Sequence, residues 1–563
     1  MRSQSLFART TAGRGESGLR SGKACCRTDQ ILLGLMAIPS STSADVATHL
    51  NIRDNEMEST LKRPDVASDR PAKWQPRVVI IGSGVAGIAC AIKLKAQGID
   101  DIVILEKAGK LGGTWRDNRY PGLACDVPAH LYVYSFRPNP NWKRRFAEGP
   151  DIWRYYSGVA AEYGVTEHIA YNEEVLSAEW TGRHWLIRTS GPSKMLEADI
   201  LISAVGRLQH PKYPDIAGLD DFGGQVFHSA RWPDGVGVKG KRVGIIGTGS
   251  TATQLTTALA PVVDRLTIFQ RTPQWVLTIP NPGYSWVRRA LYRAFPALHE
   301  RYLAKLRQES RAAVELITGK DRSFIRSMCE AGLASVEDPV LRDKLRPDYE
   351  PGCKRIVMSP NFYQAVQGDN VELVTDAIER AEGQGVRTAD GRLHELDILV
   401  LATGFKTDAF MRPMSLSGAN GTKLDDIWDS GFLNYKSVAL PEMPNFFMIN
   451  GPYSPGGNAS VVGIIETHVN FIIQCIDRIR ERHVALMPDR RTTEKLLAAV
   501  REAAKNTIWA QGGCSSWYLD KEGVPLINPL SIDQLRADMR EPAFDDFVEV
   551  EIDGAGREAV MRQ

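Results

Sequence analysis

Arg77-Val-Val-Ile-Ile-Gly-Ser-Gly-Val-Ala-Gly87 is the stretch from which the fold is read. Val78 to Ile81 is an unbroken apolar run, as expected of a strand buried on both faces of a parallel sheet. It leads straight into Gly82-Ser83-Gly84-Val-Ala-Gly87, after which Ile88, Ala91, Ile92 and Leu94 recur at helical spacing. A second apolar run, 102–105, ends in Glu106. In a G-x-G-x-x-G turn, Gly82 makes the tight bend, Gly84 lets backbone approach a pyrophosphate and Gly87 lets the helix pack on the strand. The N–H groups opening the helix face the phosphates, and Glu106 is placed to accept hydrogen bonds from a ribose. Strand before, helix after and acid at the next strand end are the context this motif needs.

The pattern recurs. Residues 241–246 repeat the strand, and Gly247-Thr248-Gly249-Ser250-Thr-Ala252 repeats the turn. The following strand, 265–269, ends in Gln270-Arg271-Thr272, with no acid where Glu106 stands in the first unit. A carboxylate there would repel a 2′-phosphate, whereas Arg271 can grip one through charge-assisted hydrogen bonds, so NADPH is expected over NADH. The fold class expected is α/β, with two dinucleotide-binding, Rossmann-like domains. Apolar strands at 200–206 and 396–405 read as crossings between them, so the second domain is inserted in the first. The expected boundaries are 74–208 and 395–540 for the first domain and 209–394 for the second. Residues 286–345, rich in Arg, Ala, Leu and Glu at helical spacing, read as a helical insertion that covers the active site or elaborates the surface.

Composition sets bounds. A chain of 563 residues exceeds what one core serves. Its 69 basic and 67 acidic side chains leave a net charge of +2, which calls for neither nucleic acid nor an anionic membrane. No apolar run reaches the length of a membrane span. The eight cysteines include no C-x-x-C pair, only the adjacent Cys25 and Cys26. Zinc sites and dithiol redox centres are therefore not expected, nor any other metal site, and a reducing compartment is the default. Residues 1–73 read as a leader of little order. Its start carries Arg2, Arg9, Arg14, Arg20, Lys23 and Arg27 against Glu16 alone, the composition of an organelle transit peptide. The other reading is a true start downstream at Met57 and a cytoplasmic protein. The tail, 541–563, also reads as weakly ordered.

Two further motifs carry a resemblance. Between the nucleotide units, 222–234 fills F-x-G-x-x-x-H-x-x-x-W-P-D with Phe222, Gly224, His228, Trp232, Pro233 and Asp234. After the first unit, Gly112-Gly113-Thr114-Trp115, Tyr120-Pro121-Gly122 and Asp126 fill G-G-x-W-x-x-x-x-Y-P-G-x-x-x-D. Over roughly residues 77–520 the chain resembles the type I Baeyer–Villiger flavin monooxygenases. The resemblance implies FAD on the first unit, with Gly113, Thr114, Trp115, Asp126 and Tyr132 in the flavin segment. It implies NADPH on the second, held by Arg271, Thr272 and Lys354. Arg355 would be the catalytic cation, with Asp126 holding it; His228 and Trp232 would couple the domains. One departure is Ala129, where relatives carry Ser. Gly456 and Gly457 suggest close approach to the flavin. Residues 509–519 look like a substrate-side motif in which Cys514 is expected as a packed thiol.

The activity implied is insertion of one oxygen atom beside a ketone carbonyl. NADPH reduces FAD, O₂ gives a C4a-peroxide, and its anion attacks the ketone to yield an ester or lactone. Oxygenation of sulfur or nitrogen is the alternative, and a nucleotide-binding protein without turnover the remoter one. A pyridine-nucleotide disulfide reductase shares this fold, but the missing C-x-x-C speaks against it. The partners expected are thus a small ketone or sulfide and O₂.

Overall fold

The computed structural model describes residues 74–319, 321–429, 431–455 and 460–552. The basic leader, Cys25 and Cys26, Gly456 and Gly457, and the tail from residue 553 lie outside the described residues.

In chain order the first unit runs β1 (Val78–Ile81), α1 (Val85–Ala96), β2 (Ile102–Glu106), β3 (Ile169–Tyr171) and β4 (Ile200–Ser203). The chain then enters the second unit through β5 (Gln225–His228), β6 (Arg242–Ile246), α2 (Ser250–Leu259) and β7 (Arg265–Phe269). The insertion follows as α3 (Trp286–Ala294), α4 (Pro296–Thr318), α5 (Ser323–Leu333) and α6 (Pro339–Lys344). Beyond it come β8 (Val371–Val374), β9 (Ile398–Leu401), β10 (Phe446–Met448) and α7 (Val461–Arg482).

Two five-stranded sheets result, ordered β10-β4-β1-β2-β3 and β5-β9-β6-β7-β8. All their pairings are parallel. The orders superimpose: β1 and β6 sit centrally, each with its glycine turn at the carboxyl end, where open α/β sheets bind ligands. The apolar runs are apolar because helices cover both faces. Val78, Val79 and Ile80 are fully buried, as are Val243 and Ile245. Burying each such side chain contributes about 1.5–3 kcal/mol. Ile88, Ala91 and Leu94 pack the inner stripe of α1, and α7 lies against it.

Gly82 and Gly247 hold the same position in the two units. Their φ angles are +103° and +123°, and an added Cβ would meet the Ala204 and Ala402 carbonyl oxygens at 2.9 and 2.4 Å. These alanines end β4 and β9, the crossing strands. One correction follows: β9 pairs with β6 and β5 in the second sheet, so the chain returns to the first unit after Gly404 rather than at 395. The two crossings lie together. Pro211 and Phe405 form an antiparallel bridge, Lys212 N–H donates to the Gly404 carbonyl and Lys406 N–H to that of His210.

Two smaller sheets of three or more strands, both built on antiparallel pairs, were not expected. Val175–Trp180, Trp185–Thr189 and Met195–Ala198 form one, with Ser415–Ser417 added in parallel. Ile378–Glu382, Gly385–Thr388 and Leu393–Glu395 form the other. Among the described residues no helix is long and apolar enough to cross a membrane.

Candidate active site

Both dinucleotide cradles have the chemistry of phosphate sites. α1 and α2 begin at Gly84 and Gly249 with no side-chain cap and no acid in the first turn. Their first N–H groups are thus left for an anion. Gly84 also faces Gly113: an added Cβ on Gly113 would come within 3.2 Å of the Gly84 Cα. Side chains here would close the opening between the two motifs. Glu106 ends β2, 3% exposed. Its Oε2 accepts from the Ser83 N–H and hydroxyl at 3.0 and 2.7 Å, and its Oε1 from the Ala108 N–H and the Arg116 guanidinium at 2.9 and 2.8 Å. All four lone-pair directions are taken. A ribose hydroxyl reaching this carboxylate would replace Arg116 or the Ser83 hydroxyl, the donors on rotatable bonds. Trp115 Nε1 donates to the Tyr132 hydroxyl at 3.2 Å, so two residues of the flavin segment meet. These residues fit FAD.

At the second cradle, Thr248 donates its hydroxyl to the Thr272 carbonyl at 2.7 Å, tying the glycine turn to the end of β7. Lys354, 83 residues after Arg271 in sequence, comes back beside it. Burial, and then the charge of Arg271, hold the Lys354 pKa below its ordinary value. Its ammonium lies 4.6 Å from the Tyr349 ring centroid. Two cations repelling each other beside a dinucleotide turn fit a 2′-phosphate.

Between the cradles stands the pair that the sequence placed 229 residues apart. Arg355 Nε donates to Asp126 Oδ2 at 2.9 Å and Nη2 to Oδ1 at 2.6 Å, a planar fork. Burial opposes the Arg355 charge, but Asp126, by charge and hydrogen bonding, raises its pKa above the ordinary value. The cation is therefore fixed in place and in charge. Asp126 also lies in the wall of a cavity of about 1140 Å³, with Trp115, Tyr120, Leu123, Ala258 and Met358 among its lining.

Residues of both motifs tie the two units together. Tyr120 donates to Gln254 Oε1 at 2.9 Å and Gln254 returns a bond to the Ala124 carbonyl at 2.9 Å. A Cβ on Gly122 would strike the Gln254 carbonyl at 2.8 Å. Tyr-Pro-Gly is thus a seat for α2. Asp234 bonds Arg119 at 2.7 Å across the same junction. His228 accepts from the Ala230 N–H at Nδ1, which leaves the Nε2 proton to donate to the Gly404 carbonyl at 3.0 Å. Trp232 packs edge-on against Phe227, centroids 5.0 Å apart.

Three sets of contacts go beyond the sequence reading. Tyr518, fully buried, sits against Arg355, whose charge and hydrogen bond pull against the burial that raises the phenol pKa. Cys514 is not a packed thiol: it is disulfide-bonded to Cys353, next to Lys354, across 161 residues. Pairing at that separation leaves no local spacing to read, and it departs from the reducing-compartment expectation. The 142–146 segment docks the insertion. Arg145 N–H donates to the Pro282 carbonyl, and its side chain pairs with Glu309 of α4 at 3.3 Å. Beside it His130 and His299 share a ring-nitrogen contact of 2.9 Å.

A chain with two uncapped glycine turns on matching parallel sheets, a strand-end carboxylate beside one and two cations beside the other, is a two-dinucleotide oxidoreductase. Comparison with known proteins narrows this. A family profile described as pyridine nucleotide-disulphide oxidoreductase matches residues 79–342. An uncharacterised monooxygenase of Mycobacterium tuberculosis is 47% identical over 465 residues, covering 82% of this chain and 94% of that one. A Baeyer–Villiger monooxygenase of Streptomyces coelicolor is 40% identical over 457 residues, covering 79% and 87%. Among solved structures, cyclohexanone monooxygenase from Rhodococcus sp. Phi1 bound to NADP⁺ superimposes with a TM-score of 0.74 at 28% identity, over 85% of this chain and 100% of that one. The chain belongs to the Baeyer–Villiger monooxygenase family.

Proposed function

We infer that this protein uses FAD, NADPH and O₂ to insert one oxygen atom beside a ketone carbonyl, giving an ester or lactone. The observation that carries the reading is the forked Arg355–Asp126 pair between two phosphate cradles. The cyclohexanone monooxygenase named above acts on a cyclic ketone, which points to the same substrate class.

FAD would be held by Gly82, Ser83, Gly84, Gly87, Glu106, Gly113, Thr114, Trp115, Asp126 and Tyr132. NADPH would be held by Gly247, Thr248, Gly249, Ser250, Ala252, Arg271, Thr272 and Lys354. Bound flavin supplies the redox chemistry with O₂ that no side chain can. The chain supplies position and charge. Arg355 presents a fixed guanidinium to the negative charge that develops on oxygen as the carbonyl is attacked. Asp126 holds the plane of that guanidinium and keeps it protonated. Tyr518, buried beside Arg355, stands where water would otherwise sit on that side of the centre, which strengthens both interactions. His228, hooked on Gly404 at the paired crossings, and Trp232 behind it transmit movement between the two units.

The test is a panel of linear, cyclic and aromatic ketones with one sulfide, offered to the flavin-loaded protein with NADPH and read by product mass. Ketones gaining one oxygen atom are expected. Oxygenation of the sulfide alone would replace this reading.

A further inference from the structure

Arg207 is a second guanidinium at the same centre, outside every motif considered so far. It follows β4 in the first crossing. Its Nε and Nη2 are buried and have no hydrogen-bond partner among the described residues. Two aromatic rings lie against it: the guanidinium carbon is 5.1 Å from the Phe410 ring centroid and 5.5 Å from that of Trp517. Gln209 fixes the first wall by donating to the Phe410 carbonyl at 2.9 Å. The second wall is the looser one, since Trp517 is 47% exposed. Tyr518 feels the charges of both Arg355 and Arg207, which places the two cations around one phenol.

A buried cation needs compensation, and aromatic faces supply only part of it. Burial lowers the Arg207 pKa to about 10, with Tyr518 and Asp408 offsetting this by charge. With two rings against it, what the guanidinium still offers is its unbonded Nε–Nη2 edge. That is the edge by which Arg355 takes the Asp126 carboxylate, and a planar fork matches a carboxylate in two parallel hydrogen bonds.

We propose that Arg207 receives the carboxylate of an anionic ketone, so that the substrates preferred by this protein are keto acids. The inference rests on the reading of the protein as a ketone oxygenase. A dinucleotide phosphate is the other source of an oxyanion. It has its own seats at the α1 and α2 starts and at Arg271 and Lys354, whereas Arg207 shares Tyr518 with the catalytic cation.

The test uses flavin-loaded protein, NADPH and a chain-length series of linear keto acids, each paired with its methyl ester. For the best-fitting length, wild type is expected to favour the acid over the ester by about tenfold to a hundredfold in kcat/KM, mainly through KM. Arg207→Gln should bring that ratio to about one, and Arg207→Lys, which keeps charge without the fork, should fall between. A ratio unmoved by Arg207→Gln, or a wild-type preference for the ester, overturns the inference. So does an Arg207→Gln protein whose only change is weaker NADP⁺ binding on titration, which would assign the residue to the nucleotide. If wild type oxygenates neither ketone, the ketone-oxygenase reading fails by itself. Keto-acid binding to the oxidised protein, read from tryptophan fluorescence, then decides the anion site: lost in Arg207→Gln it stands, absent in wild type it falls.

Discussion

Arg355 and Asp126 form a closed fork, so either residue alone would leave an uncompensated charge at the centre. Arg355→Ala should keep its flavin, seen as a yellow protein, yet lose ester formation by about a hundredfold to a thousandfold, the scale of removing one oxyanion-stabilising donor. The second nucleotide site has its own residue-scale prediction. Lys354 has a lowered pKa, so in the free protein its charge is lost as pH rises through a value below the ordinary 10.5. The KM for NADPH should therefore climb on the alkaline side earlier than an ordinary lysine allows, while the KM for NADH stays level. Lys354→Arg should flatten that rise, and identical profiles for the two cofactors would reject the assignment. Arg271 was legible because it follows Gln270, which stands where the first unit has Glu106. Arg355 and Asp126 became legible through the motif resemblance; an isolated Lys-Arg pair reads as surface. Arg207 has no pattern around it, and only the folded chain brings it, and Tyr518 of the 509–519 motif, to Arg355.

At the scale of elements, continuous apolar runs gave away β1, β2, β6 and β7, since a strand covered on both faces has no polar side to confuse it. The half-buried strands were missed. In Val175–Trp180 only Val175, Ala178 and Trp180 are buried, a pattern broken by the bulge near Ser177. The end of the second domain was misplaced because an apolar strand carries no label for the sheet it joins. The Cys353–Cys514 bond ties the loop of Arg355 to the loop of Tyr518. Peptide mapping without reductant should find the two cysteines in one linked fragment; two alkylated thiols would contradict it. Cys514→Ser should lower the thermal midpoint, the loss of such a cross-link being worth about 2–4 kcal/mol.

Over the whole molecule, the two units meet through polar contacts at several places, among them Arg119 with Asp234, Tyr120 with Gln254, Gln254 with Ala124 and Arg355 with Asp126. Acid should weaken the whole. Burial, first of all causes, holds the pKa values of His130 and His468 down to about 3. Both are neutral in the fold, whereas the unfolded chain takes up protons near pH 6.5. Stability is then complete above about pH 6.5 and falls towards pH 3 by at most about 1.4 kcal/mol per group per pH unit. Denaturant midpoints that stay constant between pH 6.5 and pH 4.5 would contradict this.

The central claim, that a cation fixed by Asp126 between two nucleotides directs oxygen onto a ketone, is tested most directly with labelled O₂. The flavin-loaded protein, NADPH, ¹⁸O₂ and a ketone should yield an ester or lactone carrying one labelled oxygen atom. Arg355→Ala should consume NADPH without forming it. Unlabelled product, or labelled ester from Arg355→Ala at the wild-type rate, would contradict the account.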